Sequence, residues 1–241
     1  MKISELFYSV QGEGKRIGVP SFFIRTNGCN LRCKFSGGNL CDTPYTSWNP
    51  EDEHNIGEFS VDDIISEYKN SGAVDVVITG GEPALQHDEL ADLCSKLKVL
   101  DAYVTLETNG TRTGQFLEYI DLISVSPKLK SSIPFDTKHE KMHKQNRINL
   151  DVLKVYQDIT INRNKEIQWK FVYCSINDIE EILLLQKEIG FVNKDVYLMP
   201  EGLTDLDISL KRKELAEICK KYHFNYTERL HILIWGSKRG I

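Results

Sequence analysis

The stretch "VDVVITGGEP", residues 74–83, joins a short apolar run to a glycine-rich turn that contains an acid and a proline. An apolar run of this length is typical of a buried β-strand. It follows "SVDDIISEYKNSG" (60–72), in which Ser60 and Asp63 have the spacing of a helix N-terminus. It precedes "DELADLCSKLK" (88–98), whose apolar residues recur at helical spacing. A strand between two helices is the repeating unit of a parallel sheet.

The same alternation extends along the chain. Further strand-type runs occur at residues 21–28, 101–110, 121–128, 167–173 and 195–202, and further helical patterns at 178–190 and 209–222. Six units predict an α/β fold in which a parallel sheet forms an open or incomplete (βα)6 barrel. We expect a single domain over residues 1–241. The polar, basic segment 129–150 interrupts the pattern and is predicted to be a loop or insertion that is helical in part.

Composition excludes several classes of protein. The chain has 241 residues, of which 41% are hydrophobic, enough to bury a full core. Its net charge of −5, with no basic stripe, argues against a nucleic-acid binder. Its apolar runs are far shorter than the about 18 residues of a membrane span, and no apolar export signal follows Met1. We therefore expect a soluble, cytoplasmic protein whose six cysteines are reduced.

Three cysteines lie close together in "NGCNLRCKFSGGNLCDT" (27–43), at positions 29, 33 and 41. A structural zinc site is usually closed by four Cys or His ligands. Three thiolates suit an iron–sulfur cluster whose fourth iron stays open for another molecule. The spacing alone leaves two interpretations open, an iron–sulfur cluster or a zinc site completed by a distant fourth ligand.

Four more polar clusters directly follow strand-type runs. They are "TGGEP" (79–83), "ETNG" (107–110), "SPK" (126–128) and "MPEG" (199–202). Any one of them could be an ordinary turn, because Gly, Pro and Asn are common turn residues. In parallel α/β folds, however, the loops at the carboxyl ends of the strands form the binding face. The sequence therefore predicts that these clusters and the cysteines meet at one rim of the barrel.

The cysteine loop and the glycine-rich turn together carry a family resemblance. Cys-x3-Cys, a following Cys-Asp-Thr and "GGEP" resemble the radical S-adenosylmethionine superfamily. "VQGEG" (10–14), "SPK" and the closing "WGSKRG" (235–240) narrow the resemblance to the family of 7-carboxy-7-deazaguanine synthases. It extends from Leu6 to the end of the chain. It implies a ring-contracting lyase of queuosine biosynthesis, which converts 6-carboxy-5,6,7,8-tetrahydropterin to 7-carboxy-7-deazaguanine with loss of ammonia.

One departure concerns the cysteine spacing. The superfamily usually has Cys-x3-Cys-x2-Cys, whereas this chain has seven residues between Cys33 and Cys41. The count of three thiols is unchanged. We expect the small, flexible "SGGN" (36–39) to bulge outward, so that Leu40 and Cys41 keep their places.

The resemblance implies residues for each bound group. Cys29, Cys33 and Cys41 would hold a [4Fe–4S] cluster whose fourth iron binds S-adenosylmethionine. The further cofactor contacts would be Leu40, Gly80, Gly81, Glu82, Ser126, Pro127, Lys128, Met199, Pro200 and Glu201, with Glu82 accepting from the methionyl amino group. The substrate contacts would be Val10, Gln11, Gly12, Glu13, Arg25, Thr79, Glu107, His231 and Ile241.

Two of these contacts concern the substrate carboxylate. Arg25 would bind it directly as a two-pronged donor, and Thr43 would hold a Mg²⁺ ion shared with it. Each assignment has a structural alternative. Arg25 could form a buried ion pair with an acid, Thr43 could cap the next turn, and His231 could be an interior histidine on an apolar strand. The resemblance also implies a reducing electron donor such as flavodoxin or ferredoxin, and a homodimer.

Two other functions compete with this interpretation. "HEKMH" (139–143) matches the H-E-x-x-H pattern of zinc hydrolases, but its surroundings are basic on nearly every face, which favours a solvated surface helix. A noncatalytic iron–sulfur or zinc carrier would need the cysteine loop but not "GGEP", "SPK" or Arg25. The scattered Cys94, Cys174 and Cys219 are predicted to be packing residues.

Overall fold

The computed structural model describes residues 1–163 and 165–241. Over these residues, nine strands form one sheet in the order β3-β1-β2-β4-β5-β6-β7-β8-β9. The strands are β1 (Lys2–Val10), β2 (Pro20–Thr26), β3 (Gly57–Glu58), β4 (Asp75–Gly80), β5 (Tyr103–Thr108), β6 (Leu122–Val125), β7 (Glu166–Tyr173), β8 (Val196–Pro200) and β9 (Asn225–Tyr226). All six predicted runs are confirmed as strands, namely β2 and β4 to β8.

The pairs β2–β4, β4–β5, β5–β6, β6–β7, β7–β8 and β8–β9 are all parallel, as the alternation predicted. β1 pairs antiparallel with β2, and β3 pairs antiparallel with β1. Among the described strands, β3 and β9 remain at opposite edges of the sheet. The parallel, incomplete barrel is therefore confirmed, with an antiparallel extension at one edge that was not predicted.

β1 was not predicted because a β-bulge interrupts the alternation of buried and exposed residues along it. The register shifts between Ile3 and Glu5, so that Ile3, Ser4 and Glu5 are all buried in succession. A buried run of this kind, which includes an acid, has no period of two.

The described residues contain eight α-helices. They are α1 (Pro44–Ser47), α2 (Val61–Ser71), α3 (His87–Val99), α4 (Glu140–Asn146), α5 (Leu150–Arg163), α6 (Asn177–Ile189), α7 (Asp205–Tyr222) and α8 (Leu230–Trp235). α2 begins with the predicted capping box of Ser60 and Asp63. α7 begins earlier than predicted because Thr204 and Asp207 form a second capping box.

The core lies between the sheet and the helices. Trp169, Phe171 and Tyr173 of β7 are fully buried on this outer face. Lys170 and Val172, which alternate with them along the strand, line a cavity on the inner face. The strand thus brings an amine into the barrel interior. Of the scattered cysteines, Cys94 and Cys219 are confirmed as packing residues of the core.

In the part of the chain that the structure describes, no helix is long and apolar enough to cross a membrane.

Candidate active site

A cavity of about 470 Å³ opens at the carboxyl ends of the parallel strands. Of the predicted site residues, twenty line it, namely Val10, Gln11, Gly12, Glu13, Arg25, Cys29, Cys33, Leu40, Cys41, Thr43, Thr79, Gly80, Gly81, Glu107, Ser126, Lys128, Met199, Glu201, His231 and Ile241. The other three, Glu82, Pro127 and Pro200, are buried behind this lining. The fold therefore brings the strand-end clusters and the cysteine loop together around one space.

The extra residues of the cysteine loop form a small hairpin. Lys34 and Leu40 make an antiparallel bridge, and the backbone N–H of Phe35 donates to Asn39 O at 2.7 Å. At the base of the hairpin, the N–H of Cys41 donates to Cys33 O at 3.2 Å. The hairpin therefore returns Cys41 to the side of Cys33.

The three thiols fit an iron–sulfur cluster. Their side chains line one cavity, and sulfur is the soft donor that such clusters require. Asp42, the neighbouring candidate for a fourth protein ligand, is instead paired with Arg229. Within residues 1–163 and 165–241, no three His, Cys, Asp or Glu side chains converge on a single metal ion.

Burial keeps these thiols protonated until metal arrives. It raises the pKa of Cys29 to about 12 and also raises those of Cys33 and Cys41. Iron must therefore displace protons when it binds, as is usual for thiolate ligands.

The "GGEP" turn packs directly against the cysteine loop. The N–H of Glu82 donates to Gly28 O at 2.9 Å, and a Cβ on Gly81 would lie 2.2 Å from that same oxygen. Only glycine permits this approach. Gly80 and Gly81 therefore present backbone to the cavity beside Cys29.

We expected Glu82 to face the cavity, but its side chain is buried behind the lining. Its carboxylate accepts hydrogen bonds from Ala84 N at 3.0 Å, Thr108 Oγ1 at 2.8 Å and Asn109 N at 2.6 Å. Burial raises its pKa, and these donors oppose that rise. In this structure Glu82 ties the "GGEP" turn to the "ETNG" turn, and direct contact with a methionyl amino group is not supported.

The "SPK" and "MPEG" turns form the adjacent wall. Lys128 Nζ donates to Ser126 Oγ at 2.8 Å. Glu201 accepts from Asn39 of the hairpin at 2.9 Å and from Lys211 at 3.0 Å. Because its carboxylate is engaged in this way, the backbone of this turn is what remains for a ligand.

Another part of the cavity lining, which we call the substrate wall, is formed by the side chains of Gln11, Glu13, Thr79, Glu107 and Lys170. Glu107 accepts from Gln11 Nε2 at 3.2 Å and from Thr79 Oγ1 at 2.9 Å. Lys170 Nζ lies 2.6 Å from Glu13 Oε2 and 3.5 Å from Glu107 Oε1.

Opposite charges keep both partners of this buried pair ionised. Burial alone would raise the pKa of Glu13, but Lys170 and then Arg229 bring it well below its ordinary value. Burial alone would lower the pKa of Lys170, but Glu107 and Glu13 raise it. The substrate wall therefore presents carboxylates, which accept hydrogen bonds from a donor-rich ligand.

Arg25 forms the buried ion pair considered as its structural alternative, and it also faces the cavity as a substrate-binding residue would. Its Nε donates to Glu5 Oε2 at 2.6 Å, and its guanidinium lies over Phe7 at 5.7 Å from the ring centroid. Tyr45 Oη also donates to that Glu5 oxygen, at 2.8 Å. Arg25 lines the cavity, and its two terminal nitrogens make no hydrogen bond within the described residues. It is ion-paired and still has a free fork.

Arg229 and His231 come from the segment around α8. Arg229 is 4% exposed and pairs with both Glu13 and Asp42. His231 lies on α8, not on a strand as the structural alternative assumed. A Cβ on Gly12 would lie 2.1 Å from His231 Nδ1, so that glycine lets this ring pack on the substrate wall. Burial lowers the pKa of His231.

The "HEKMH" segment is neither a zinc site nor a fully solvated helix. His143 of α4 is buried, and its Nδ1 accepts from Arg32 N, in the cysteine loop, at 3.2 Å. Its Nε2 lies 3.2 Å from Ser132 Oγ, and His139 packs edge-on against Trp48. Both ring nitrogens of His143 are thus engaged. The prediction of a surface helix is wrong for this residue, which buttresses the cysteine loop.

Sequence reasoning missed Lys170, Arg229 and Asp42. The alternation of "IQWKFVY" (167–173) would have placed Lys170 on the face opposite Trp169 and Phe171. Asp42 adjoins Cys41 and could have been suspected on that ground. No pattern indicated Arg229, because its contacts depend on how the chain returns after β9.

Comparisons with known proteins agree with this geometry. Residues 23–212 match the radical SAM superfamily. A solved structure titled "Crystal structure of QueE from Escherichia coli" has the same fold, with a TM-score of 0.65 and 24% sequence identity over 95% of this chain and 94% of that one. The protein is therefore a member of the radical SAM superfamily.

Two curated relatives narrow the assignment. A 7-carboxy-7-deazaguanine synthase of Halobacterium salinarum is 41% identical over 98% of this chain and 91% of its own length. A protein of the same name from Rhodopirellula baltica is 36% identical over 99% of this chain and 88% of its own length. The chain belongs to the 7-carboxy-7-deazaguanine synthase family.

Proposed function

We infer that this protein is a radical SAM lyase that converts 6-carboxy-5,6,7,8-tetrahydropterin to 7-carboxy-7-deazaguanine with loss of ammonia, in queuosine biosynthesis. The observation that carries this conclusion is the single cavity shared by three cysteine thiols, the substrate wall and the free fork of Arg25. When bound, the [4Fe–4S] cluster supplies the electron that cleaves S-adenosylmethionine and so starts the radical chemistry.

The residues of the chain bind and orient the reactants. We assign the cluster to Cys29, Cys33 and Cys41, and the cofactor to the backbone of Gly80 and Gly81 with the "SPK" and "MPEG" turns. A pterin has amino and ring N–H donors along one edge, which suit the carboxylates of Glu13 and Glu107. Its carboxylate suits the two free nitrogens of Arg25.

We also propose that Thr43 holds a Mg²⁺ ion. Thr43 precedes α1, but its side chain makes no capping hydrogen bond and lines the cavity. The capping alternative thus lacks its characteristic contact. Mg²⁺ prefers oxygen ligands and retains several waters, so one hydroxyl and a substrate carboxylate can be sufficient.

By family resemblance we further propose a flavodoxin or ferredoxin as electron donor, a homodimer and a cytoplasmic location.

Anaerobic incubation tests the reaction. Protein reconstituted with iron and sulfide should form 7-carboxy-7-deazaguanine and one equivalent of ammonia from the carboxypterin, reductant and S-adenosylmethionine. Cys33→Ala should abolish the product and lower the iron content, whereas Cys94→Ala, a change in the core, should retain the iron. Thr43→Ala should lose the stimulation by Mg²⁺, and Thr43→Ser should retain it. Absence of product from the reconstituted parent would contradict the proposed function.

A further inference from the structure

Five charged side chains of alternating sign run from the substrate wall to the cysteine loop, in the order Glu107, Lys170, Glu13, Arg229 and Asp42. Lys170 lies 3.5 Å from Glu107 and 2.6 Å from Glu13, and Arg229 Nε lies 3.3 Å from Glu13. Arg229 also pairs with Asp42. All five line the cavity, and Lys170 and Arg229 are 5% and 4% exposed. The family resemblance implies no role for either cation.

Arg229 differs from Lys170 in what it connects. Its guanidinium donates to Asp42 in the cysteine loop, to Glu13 in the substrate wall and to the carbonyl of Gly202 after β8. One planar fork thus joins three segments that are distant in sequence. An ammonium on a flexible stem cannot match this fixed arrangement of donors. Lys170 contacts carboxylates of the substrate wall alone.

We propose that Arg229 is a positioning residue that fixes the cysteine loop relative to the substrate wall. Asp42 stands between Cys41, the third thiol, and Thr43, the proposed Mg²⁺ ligand. By holding Asp42, Arg229 helps to fix where both of these neighbours lie, in addition to the hydrogen bond from Cys41 N to Cys33 O. By holding Glu13, it ties that position to the surface that receives the pterin. The inference rests on the proposed function for the identity of the substrate, but not for its effect on the cysteine loop.

Lys170 provides a matched comparison. Arg229→Met and Lys170→Met each remove one buried cation from Glu13, and only the first also releases Asp42. Asp42→Ala releases the cysteine loop but leaves Glu13 paired with both cations. The three variants therefore separate the contact with the substrate wall from the contact with the loop.

The experiment measures two properties of the anaerobically reconstituted holoenzyme. Carboxypterin affinity is measured by equilibrium dialysis, and the EPR spectrum of the reduced cluster is recorded with and without S-adenosylmethionine. Both Met variants should weaken carboxypterin binding by at least about tenfold, because each leaves a buried carboxylate less well paired. The EPR spectrum should change in Arg229→Met and Asp42→Ala but not in Lys170→Met. Arg229→Lys should not restore the parent spectrum.

An unchanged spectrum in Arg229→Met, or an equal change in Lys170→Met, would overturn the proposal. If Arg229→Met does not fold, Asp42→Ala decides, since an unchanged spectrum there also overturns it. Failure of the parent to bind carboxypterin would count against the proposed substrate, and the spectra would still test the role of Arg229.

Discussion

Arg25 shows how one side chain can be part of the scaffold and of the site. Its Nε is fixed by Glu5, which is itself held by Tyr45, while Nη1 and Nη2 remain available to a ligand among the residues the structure describes. The ion pair thus orients the fork without occupying it.

We therefore expect Arg25→Ala to weaken carboxypterin binding by more than about tenfold, since a buried bidentate contact is worth about 2–5 kcal/mol. Arg25→Lys should also bind weakly, because an ammonium keeps the charge but loses the fork. Both variants should keep the iron content of the parent. Equal affinity of Arg25→Ala and the parent would place the substrate carboxylate elsewhere. Equilibrium dialysis measures the carboxypterin affinity, and iron analysis measures the cluster content.

A second prediction concerns the protonation of His143. Because Arg32 N donates to Nδ1, the ring proton must be on Nε2, which can then donate to Ser132 Oγ. Burial, with Arg147 and Lys128 nearby, lowers the pKa of His143 to about 4. The unfolded chain, with a pKa of about 6.5, takes up the proton first as the pH falls. Stability is therefore lost between about pH 6.5 and pH 4.

Urea unfolding of the metal-free protein at pH 7 and pH 5 measures this effect. Between pH 7 and pH 5, the free energy of unfolding of the parent should fall by about 2 kcal/mol more than that of His143→Gln. The same pH dependence in both proteins would show that His143 is not held neutral. At neutral pH, His143→Gln should still be less stable than the parent, because the support of the cysteine loop is altered.

At the scale of the element, the hairpin explains how an unusual spacing leaves the three thiols in place. The bond from Cys41 N to Cys33 O closes the hairpin at its base. In a Cys-x2-Cys arrangement, the same two groups would be residues i and i+3 of a β-turn, which is closed by the same hydrogen bond. The extra residues therefore extend a turn without displacing its ends.

Deletion of Lys34–Gly38 should restore the Cys-x2-Cys spacing and leave the iron content of the reconstituted protein unchanged. The deletion also removes the bridge between Lys34 and Leu40, which lies within the hairpin, but it retains Cys33 and Cys41 at the base. Iron and sulfide analysis with the cluster absorption spectrum measures the outcome. A loss of cluster similar to that in Cys41→Ala would show that the hairpin itself positions the ligand.

Elements with an uninterrupted pattern could be predicted from the sequence, and the contacts between distant segments could not. The apolar runs of β4 and β7 and the cap of α2 are local signals, so their prediction succeeded. The strand-end turns also predicted the rim, because parallel topology fixes where strands end. The orientation of Glu82 and the contact between His143 and Arg32 depend on packing across the molecule, which no local pattern records.

At the scale of the whole molecule, the end of the described chain helps to enclose the cavity. Arg239 donates to Glu5 at 3.2 Å and to Asp52 at 3.1 Å, and its guanidinium lies 3.6 Å from the centroid of the Tyr45 ring. Glu5 is also the partner of Arg25. The last residues are thus tied to the part of the site assigned to the substrate carboxylate.

Arg239→Ala should weaken carboxypterin binding several-fold and make the last residues more sensitive to limited proteolysis. Lys238→Ala removes the same charge one residue earlier, from an exposed side chain, and should behave like the parent in proteolysis. The variant loses the contacts of Arg239 with Glu5, Asp52 and Tyr45, and the control retains them. Identical cleavage rates in the two variants would contradict this account.

The strands at the two edges of the sheet have a consequence for the behaviour of the protein in concentrated solution. β3 and β9 each consist of two residues, Gly57–Glu58 and Asn225–Tyr226. A barrel that does not close exposes edges on which another chain could add a strand, and long flat edges of this kind promote aggregation. Edges this short give an incoming strand almost no ladder to extend on β3 or β9, but β3 covers only Lys2 and Ile3 of the nine-residue β1, so the rest of β1 is the edge on which another chain could add a strand.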